Sequence, residues 1–331
     1  MWVGESPPRL LLRVSLNPTH DIMENIKGIT VSLLSPMKNH TANGGEKLLG
    51  NASSIKRRPD GRVYISGQMQ RHALFSAIEQ LNLEDDGRGD TYVSNGDGTT
   101  NKIETDLRAD MGGFMHPSQG SYSGRRTAPV SATFAVATEP SEVGRDLLLR
   151  IKQNPDEEAE QEQALATNEF SQDDDMQMSF HLDVTALSIS KAYTYEEEHH
   201  VDTEHFKHVD EQERRRRARL FLDGTRFLTN YANQARNATT GEPQKAFVVL
   251  DTRLSRKAAR YFDMTEAERK NLKAELDARD ATYFFGDDTT TEGHSVHEAY
   301  DAARDVLGGL FDPTDGAEPV SFDEFTDQAH A

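Results

Sequence analysis

"YISGQMQRHALFSAIE", from Tyr64 to Glu79, decides how this chain is read. The run "RVYIS" (62–66) is a short strand, and the residues after it change period. Ala73, Leu74, Ala77, Ile78 and Leu81 fall at i, i+1, i+4, i+5 and i+8, one apolar stripe of a helix. A strand therefore turns into a helix at Gly67. The first turn of a helix carries unpaired N–H groups and a partial positive charge. Gly67 lets a ligand come close to the backbone, while Gln68, Gln70 and Arg71 add side-chain donors. Such a corner suits a phosphate, or a bend in a phosphate backbone. It equally suits a plain helix start, with Ser66 as the N-cap and Arg71 in water.

The net charge of −19 speaks against an anionic ligand, yet charge is unevenly spread along the 331 residues. Acidic residues number 56 against 37 basic ones, of which 12 are Lys and 25 Arg. Acid excess with few lysines resembles the proteins of salt-adapted organisms, whose surfaces carry carboxylates whatever they bind. Residues 1–71 nevertheless hold ten basic and five acidic side chains, and residues 214–260 hold twelve and three. Residues 141–210 and 261–331 each hold five basic and eighteen acidic ones. Two basic blocks in an acidic chain point to a polyanion, or to pairing of the blocks with each other in the fold.

Composition excludes several functions. There is no Cys, hence no disulfide, thiolate metal site or Cys nucleophile. No stretch approaches the ~20 apolar residues of a membrane span. The start, "MWVGESPPRLLLRV", lacks the plan of a signal peptide, so a soluble cytoplasmic protein is expected.

Strands are expected at 9–17, 28–35, 62–66, 125–138, 176–190 and 245–254. Helices are expected from 67, at 211–237, at 265–281 and at 294–310. Residues 84–124, rich in Gly, Asp, Ser and Thr, and the acidic 154–175 read as insertions. The order β, β, helix, β, β, helix, β is a split βαβ pattern. It implies an α+β, ferredoxin-like or RNA-recognition-like sheet with helices on one face.

Other stretches offer chemistry. "RRRRAR" (214–219) reads as a solvated helix start, because its arginines spread around the helix. Arg226 and Arg236, near "NQARN", are better contact candidates on the same expected helix. "YFFGDD" (283–288) places Asp287 beside Asp288, a pair able to hold Mg²⁺ against a triphosphate in a nuclease or nucleotidyl enzyme. No apolar return strand follows it. "HHVDTEHFKH" (199–208) puts His205 and His208 at i, i+3, either a metal pair on a helix or part of a salt-bridged surface.

Four stretches occur together and in order: "YISGQMQRHAL" (64–74), "LRADMGGFM" (107–115), "RRTAPVSATFAVA" (125–137) and "FLDGTRFLTNYANQARN" (221–237). Together they resemble the DevR-type branch of the CRISPR backbone subunits, the Cas family numbered seven in the RAMP superfamily, over residues 8–254. The resemblance implies a modified RNA-recognition palm with a thumb-like insertion at 84–124 and another at 154–175. Residues 255–331 would then be an acidic, helical C-terminal extension. It implies a guide-RNA (crRNA) binding subunit of a type I effector, Cascade, in antiviral defence. Copies polymerise as a helical filament along the guide, beside other Cascade subunits, and present it for pairing with target DNA. Gln68, Gln70 and Arg71 fall on the helix that meets the guide, and Lys38 and Asn39 on the loop near it. Phe114 or Met115 is a candidate wedge between bases, and Arg125 and Arg126 stand at the return to the sheet. Relatives that cut RNA use an aspartate in the early loop. Residues 37–52 hold only Glu46, so no catalytic residue, metal or cofactor is expected. The aromatic stacking pair of ordinary RNA-recognition motifs is not evident in the first strands, so base stacking is not expected to supply affinity.

Overall fold

The computed structural model describes residues 22–48, 52–115, 125–151 and 163–329. The expected strand at 9–17, and residues 116–124 and 154–162 of the two expected insertions, lie outside them. In chain order the strands and helices begin with β1 (Gly28–His40), β2 (Glu46–Lys47), β3 (Ala52–Ser54), β4 (Tyr64–Ile65) and α1 (Gly67–Glu84). Then come α2 (Leu107–Gly112), β5 (Phe114–Met115), β6 (Arg125–Arg126), β7 (Val130–Ala132) and β8 (Ala135–Ala137). A long hairpin of β9 (Val143–Ile151) and β10 (Gln163–Asp183) is followed by a second one, β11 (Ile189–Glu196) and β12 (His199–Lys207). The chain ends with α3 (Glu211–Gly224), β13 (Lys245–Asp251), α4 (Glu266–Asp277), β14 (Thr282–Asp287), α5 (Val296–Asp305) and α6 (Phe322–Ala329).

A mixed α+β architecture results, built on one central sheet. Its strands run in the order β14-β13-β1-β10, and β7 and β8 continue it on the far side of β10. β1 lies antiparallel to both neighbours, from Gly28↔Asp183 to His40↔Ser171 on β10 and from Gly28↔Asp251 to Leu34↔Lys245 on β13. Alternation along the strands sorts the two faces. Ile29, Val31 and Leu33 of β1, Met178 and Phe180 of β10, and Val248 of β13 join one core with Leu74, Ile78, Phe221 and Tyr300 of α1, α3 and α5. Phe247 and Val249 point the other way, against Tyr261, Leu272 and Leu276 of a 3₁₀ turn (Lys257–Asp263) and α4. Between them Ser32 Oγ donates to the Ala258 carbonyl at 2.7 Å.

Several expectations are corrected. The helix expected at 211–237 stops at Gly224, and 225–240 is irregular. Gly224 is where α3 crosses α1 most closely: an added Cβ would lie 2.9 Å from Ile78 Cγ1. Just past it the Thr225 hydroxyl meets Tyr300 Oη at 2.9 Å. Residues 176–183 of the expected strand at 176–190 continue 163–175 of the expected insertion in one strand, β10, which pairs with β9, while 184–188 turn and Ile189 opens β11. Residues 199–207 are strand, not helix, so the i, i+3 argument for His205 and His208 lapses. His208 is buried between Ser190 Oγ (2.7 Å) and the Val320 carbonyl (2.9 Å). Beyond 254 the chain does more than add helices: β14 extends the sheet along β13.

Candidate functional site

Three segments distant in sequence meet beside the first turn of α1. Lys38 and Asn39, expected on a loop, lie within the end of β1, which the loop after α3 holds together with the turn beyond it. Asn237 Nδ2 donates to the carbonyls of Lys38 (3.0 Å) and Asn39 (2.9 Å), and Asn233 Nδ2 donates to Thr41 (2.9 Å). The same loop reaches α1, where Tyr231 Oη donates to Gln70 Oε1 at 2.9 Å and Asn230 Nδ2 to Ser76 Oγ at 3.0 Å. Lys38, Asn39, Gly67, Gln68, Arg71 and Arg236 are thereby gathered on neighbouring segments. Lys38 and Arg236 are exposed, and the only ion pair of Lys38 among the described residues is an exposed one with Asp173 at 3.4 Å. Such a pair contributes little. Asn39 sits in left-handed backbone, φ 48°, which Asn tolerates best among residues with a Cβ.

Both readings of the α1 corner hold in part. Ser66 is the N-cap, its Oγ accepting from Met69 N at 3.2 Å. The N–H groups ahead of it, at Gly67 and Gln68, are those a helix leaves without an intrahelical partner. Glycine at 67 answers to the fold, since a Cβ there would stand 2.8 Å from the Ala132 carbonyl of β7. Gln68 is exposed. Gln70 is not a surface donor: it is wholly buried beneath the loop and committed to Tyr231, whose hydroxyl pKa burial raises. Arg71 is half-buried and donates from Nη2 to the Gly112 carbonyl at 2.6 Å. Arg108 of α2 lies 4.7 Å from the Phe75 ring and donates to the Ser94 carbonyl, and Arg71 stands 5.9 Å from the same ring. Among the described residues neither guanidinium has an ion-pair partner, and burial lowers the pKa of both. Asp106 and Glu79 act on Arg108 from a distance, whereas Arg71, answered among the described residues by a carbonyl and a ring, can accept an anion.

The densest basic run is otherwise engaged, and of its five arginines only Arg219 is exposed. Arg214 and Arg217 are wholly buried. Arg214 donates to the carbonyls of Leu187, Val184 and Phe311, and Arg216 bridges Glu213 and Asp85. Arg217 Nη1 donates to Asp110 Oδ2 at 2.7 Å. Asp110 also takes Arg126 Nη2 at 2.5 Å and the Ser188 N–H and hydroxyl at 2.8 and 2.7 Å. Burial pushes its carboxyl pKa up, but the two arginines and Ser188 outweigh that and hold it below the usual range. Arg126, expected to face a ligand, is therefore an internal clamp that also donates to the carbonyls of Ile189 and Ala186.

The remaining candidates divide. Phe114 is no wedge, because its ring meets Phe322 of α6 edge-on at 5.5 Å. Met115 and Arg125, paired across β5 and β6, are exposed. Arg226 stands 5.2 Å over Phe227 and is linked by no described bond to the gathered segments. Asp287 takes Lys245 Nζ at 2.9 Å and the Thr289 hydroxyl, while Asp288 caps the N–H of Val296 at 2.8 Å. The two carboxylates thus serve separate partners. Tyr231, Asn233, Asn237 and Arg108 were missed as organisers of the site. The run of Asn and Gln in "NYANQARN" was the available signal for a loop.

A family model described as "CRISPR-associated negative auto-regulator DevR/Csa2" matches residues 40–249. No curated protein matches the sequence. Among solved structures, a chain of a "CRISPR RNA-guided surveillance complex" is 13% identical with a TM-score of 0.50, covering 91% of this chain and 99% of that one. A chain of a "CRISPR RNA-guided surveillance complex, pre-nicking" is 12% identical with a TM-score of 0.48, covering 91% and 100%. The first likeness shows a shared fold.

Proposed function

The chain belongs to the DevR/Csa2 family of CRISPR-associated proteins, and from that premise we propose that it is a non-enzymatic, guide-RNA-binding backbone subunit of a type I effector. The observation that carries the reading is the meeting of the end of β1, the first turn of α1 and the loop after α3 around Arg71. Among the described residues Arg71 has no carboxylate partner, whereas Arg126, Arg214, Arg216 and Arg217 all have one. In this reading Lys38, Asn39, Gln68, Arg71 and Arg236 meet the RNA backbone, and Met115 and Arg125 flank its path. The antiparallel order β13-β1-β10-β7, with α1 and α3 on one face, supports an RNA-recognition-like palm. The palm would span 8–254, the insertion at 84–124 serving as thumb. Copies would line the guide, alongside other subunits, and leave its bases free to pair with target DNA.

Affinity then comes mainly from phosphate neutralisation and falls with salt. RNA extracted from the natively purified protein, with its A260/A280 ratio, tests the reading. Arg71→Ala, alone or with Gln68→Ala, is expected to weaken retention. Arg71→Ala should also lower the slope of log K against log salt by about 0.7, one single-strand phosphate contact. The melting temperature checks that the fold is intact. A nucleic-acid-free wild-type protein, or unchanged retention in both variants, overturns the assignment.

A further inference from the structure

Resting on that reading, we propose that Tyr64 and Phe134 form a stacking platform for an unpaired nucleobase beside the α1 corner. The two residues lie seventy positions apart in sequence, and neither alone suggests a site. Pairing of β4 with β8 sets Tyr64 opposite Val136, and Phe134, two residues earlier, comes to the same face. The rings stack with centroids 5.6 Å apart and planes 21° from parallel. Tyr64 is half-buried, whereas Phe134 is 56% exposed, so the outer ring of the stack is open to solvent. An exposed phenylalanine supported from behind by a second ring is a flat, rigid, apolar surface.

The occupant follows from what surrounds the platform. Tyr64 precedes the cap Ser66 by two residues, and the carbonyl of Ala132, two residues before Phe134, lies against Gly67. The platform is thus continuous with the helix N-terminus, the exposed Gln68 and Arg71, which has no ion pair among the described residues. A strand whose phosphate sits at that corner carries a base within reach of the ring. Bases inside a duplex are already stacked on both sides, so the ring accepts one that is single-stranded. Every base has a π face, so the contact tolerates any sequence. That suits a protein that carries many guides.

The test is a titration of single-stranded RNA with wild-type protein, Phe134→Ala, Phe134→Leu and Tyr64→Phe. Phe134→Leu keeps an apolar side chain and guards against misfolding as the explanation. Both Phe134 variants should weaken binding about ten-fold, equal to about 1.4 kcal/mol, with an unchanged salt slope. Tyr64→Phe should bind as wild type. On RNA lacking its bases, wild type should lose the same ten-fold and the Phe134 variants should lose nothing further. Wild-type affinity in both Phe134 variants overturns the platform, as does an equal loss on baseless RNA. A change in oligomeric state with RNA affinity intact would assign the ring to a second copy of the chain and also overturn it. If the wild-type protein binds no RNA, the proposed function falls with it, a result distinct from binding that ignores Phe134.

Discussion

Asp110→Asn should unfold this protein more easily than any exposed charge change. Asp110 is wholly buried and takes two guanidiniums, from Arg126 and Arg217, together with the Ser188 N–H and hydroxyl. Asparagine keeps the shape but removes the charge and turns an NH₂ toward a guanidinium that only donates. Removing one member of a buried ion pair costs about 3–5 kcal/mol. With a urea dependence of about 3 kcal/mol/M, the unfolding midpoint should fall by roughly 1–1.7 M. Far-UV circular dichroism during urea titration measures it. Adding Arg217→Met removes one stranded cation and should recover part of the loss. RNA retention per folded molecule should stay at the wild-type level, because the cluster faces inward. A midpoint within about 0.3 M of wild type would put Asp110 in the class of surface pairs and refute the reasoning.

Three more outcomes are expected. Burial, and next the nearby Arg256 or Arg126, lowers the pKa of His181 and of His208 to about 4. Between that value and the ordinary ~6.5 the unfolded chain binds more protons, so stability is full above the upper value and is lost as pH falls toward the lower one. Urea midpoints at a series of pH values should decline through that window, and His208→Gln should flatten the decline. Gly67→Ala places a Cβ 2.8 Å from the Ala132 carbonyl, so it should destabilise by about 1–3 kcal/mol despite the better helix propensity of alanine, read as a lower melting temperature. Tyr231→Phe strips the Gln70 amide oxygen of its donor and should cost about 1–3 kcal/mol, with weaker RNA retention as the loop after α3 loosens.

The strand-to-helix corner was legible because its signals are local: Ser66 as cap, Gly67, and an apolar stripe at helical period. β1, β13 and the helices after 254 were legible for the same reason. The end of α3 was not, because the arginine and leucine pattern runs on past Gly224 with no proline to stop it. There the fold decides: α3 must meet α1 at Ile78, and Thr225 must meet Tyr300. The strand character of 199–207 was hidden in the same way, since its polar residues have no strong period and its partner β11 sets the conformation.

Arginine is the harder case, and the reason is physical. A guanidinium is always charged, so the sequence marks its presence but not whether the fold delivers a carboxylate to it. Arg217 and Asp110 are 107 positions apart, and Arg126 reaches the same carboxylate from another strand. "RRRRAR" therefore read as a solvated helix start and is mostly a buried brace, while Arg71 read equally well as an anion donor or as a side chain in water. Among the described residues Arg71 has only a backbone carbonyl and the Phe75 ring beside it, half-buried and near the half-buried Arg108, a position that an outside anion would complete. Arg108, inside the 107–115 stretch that was read for Phe114 and Met115, lies over the same ring and joins that position.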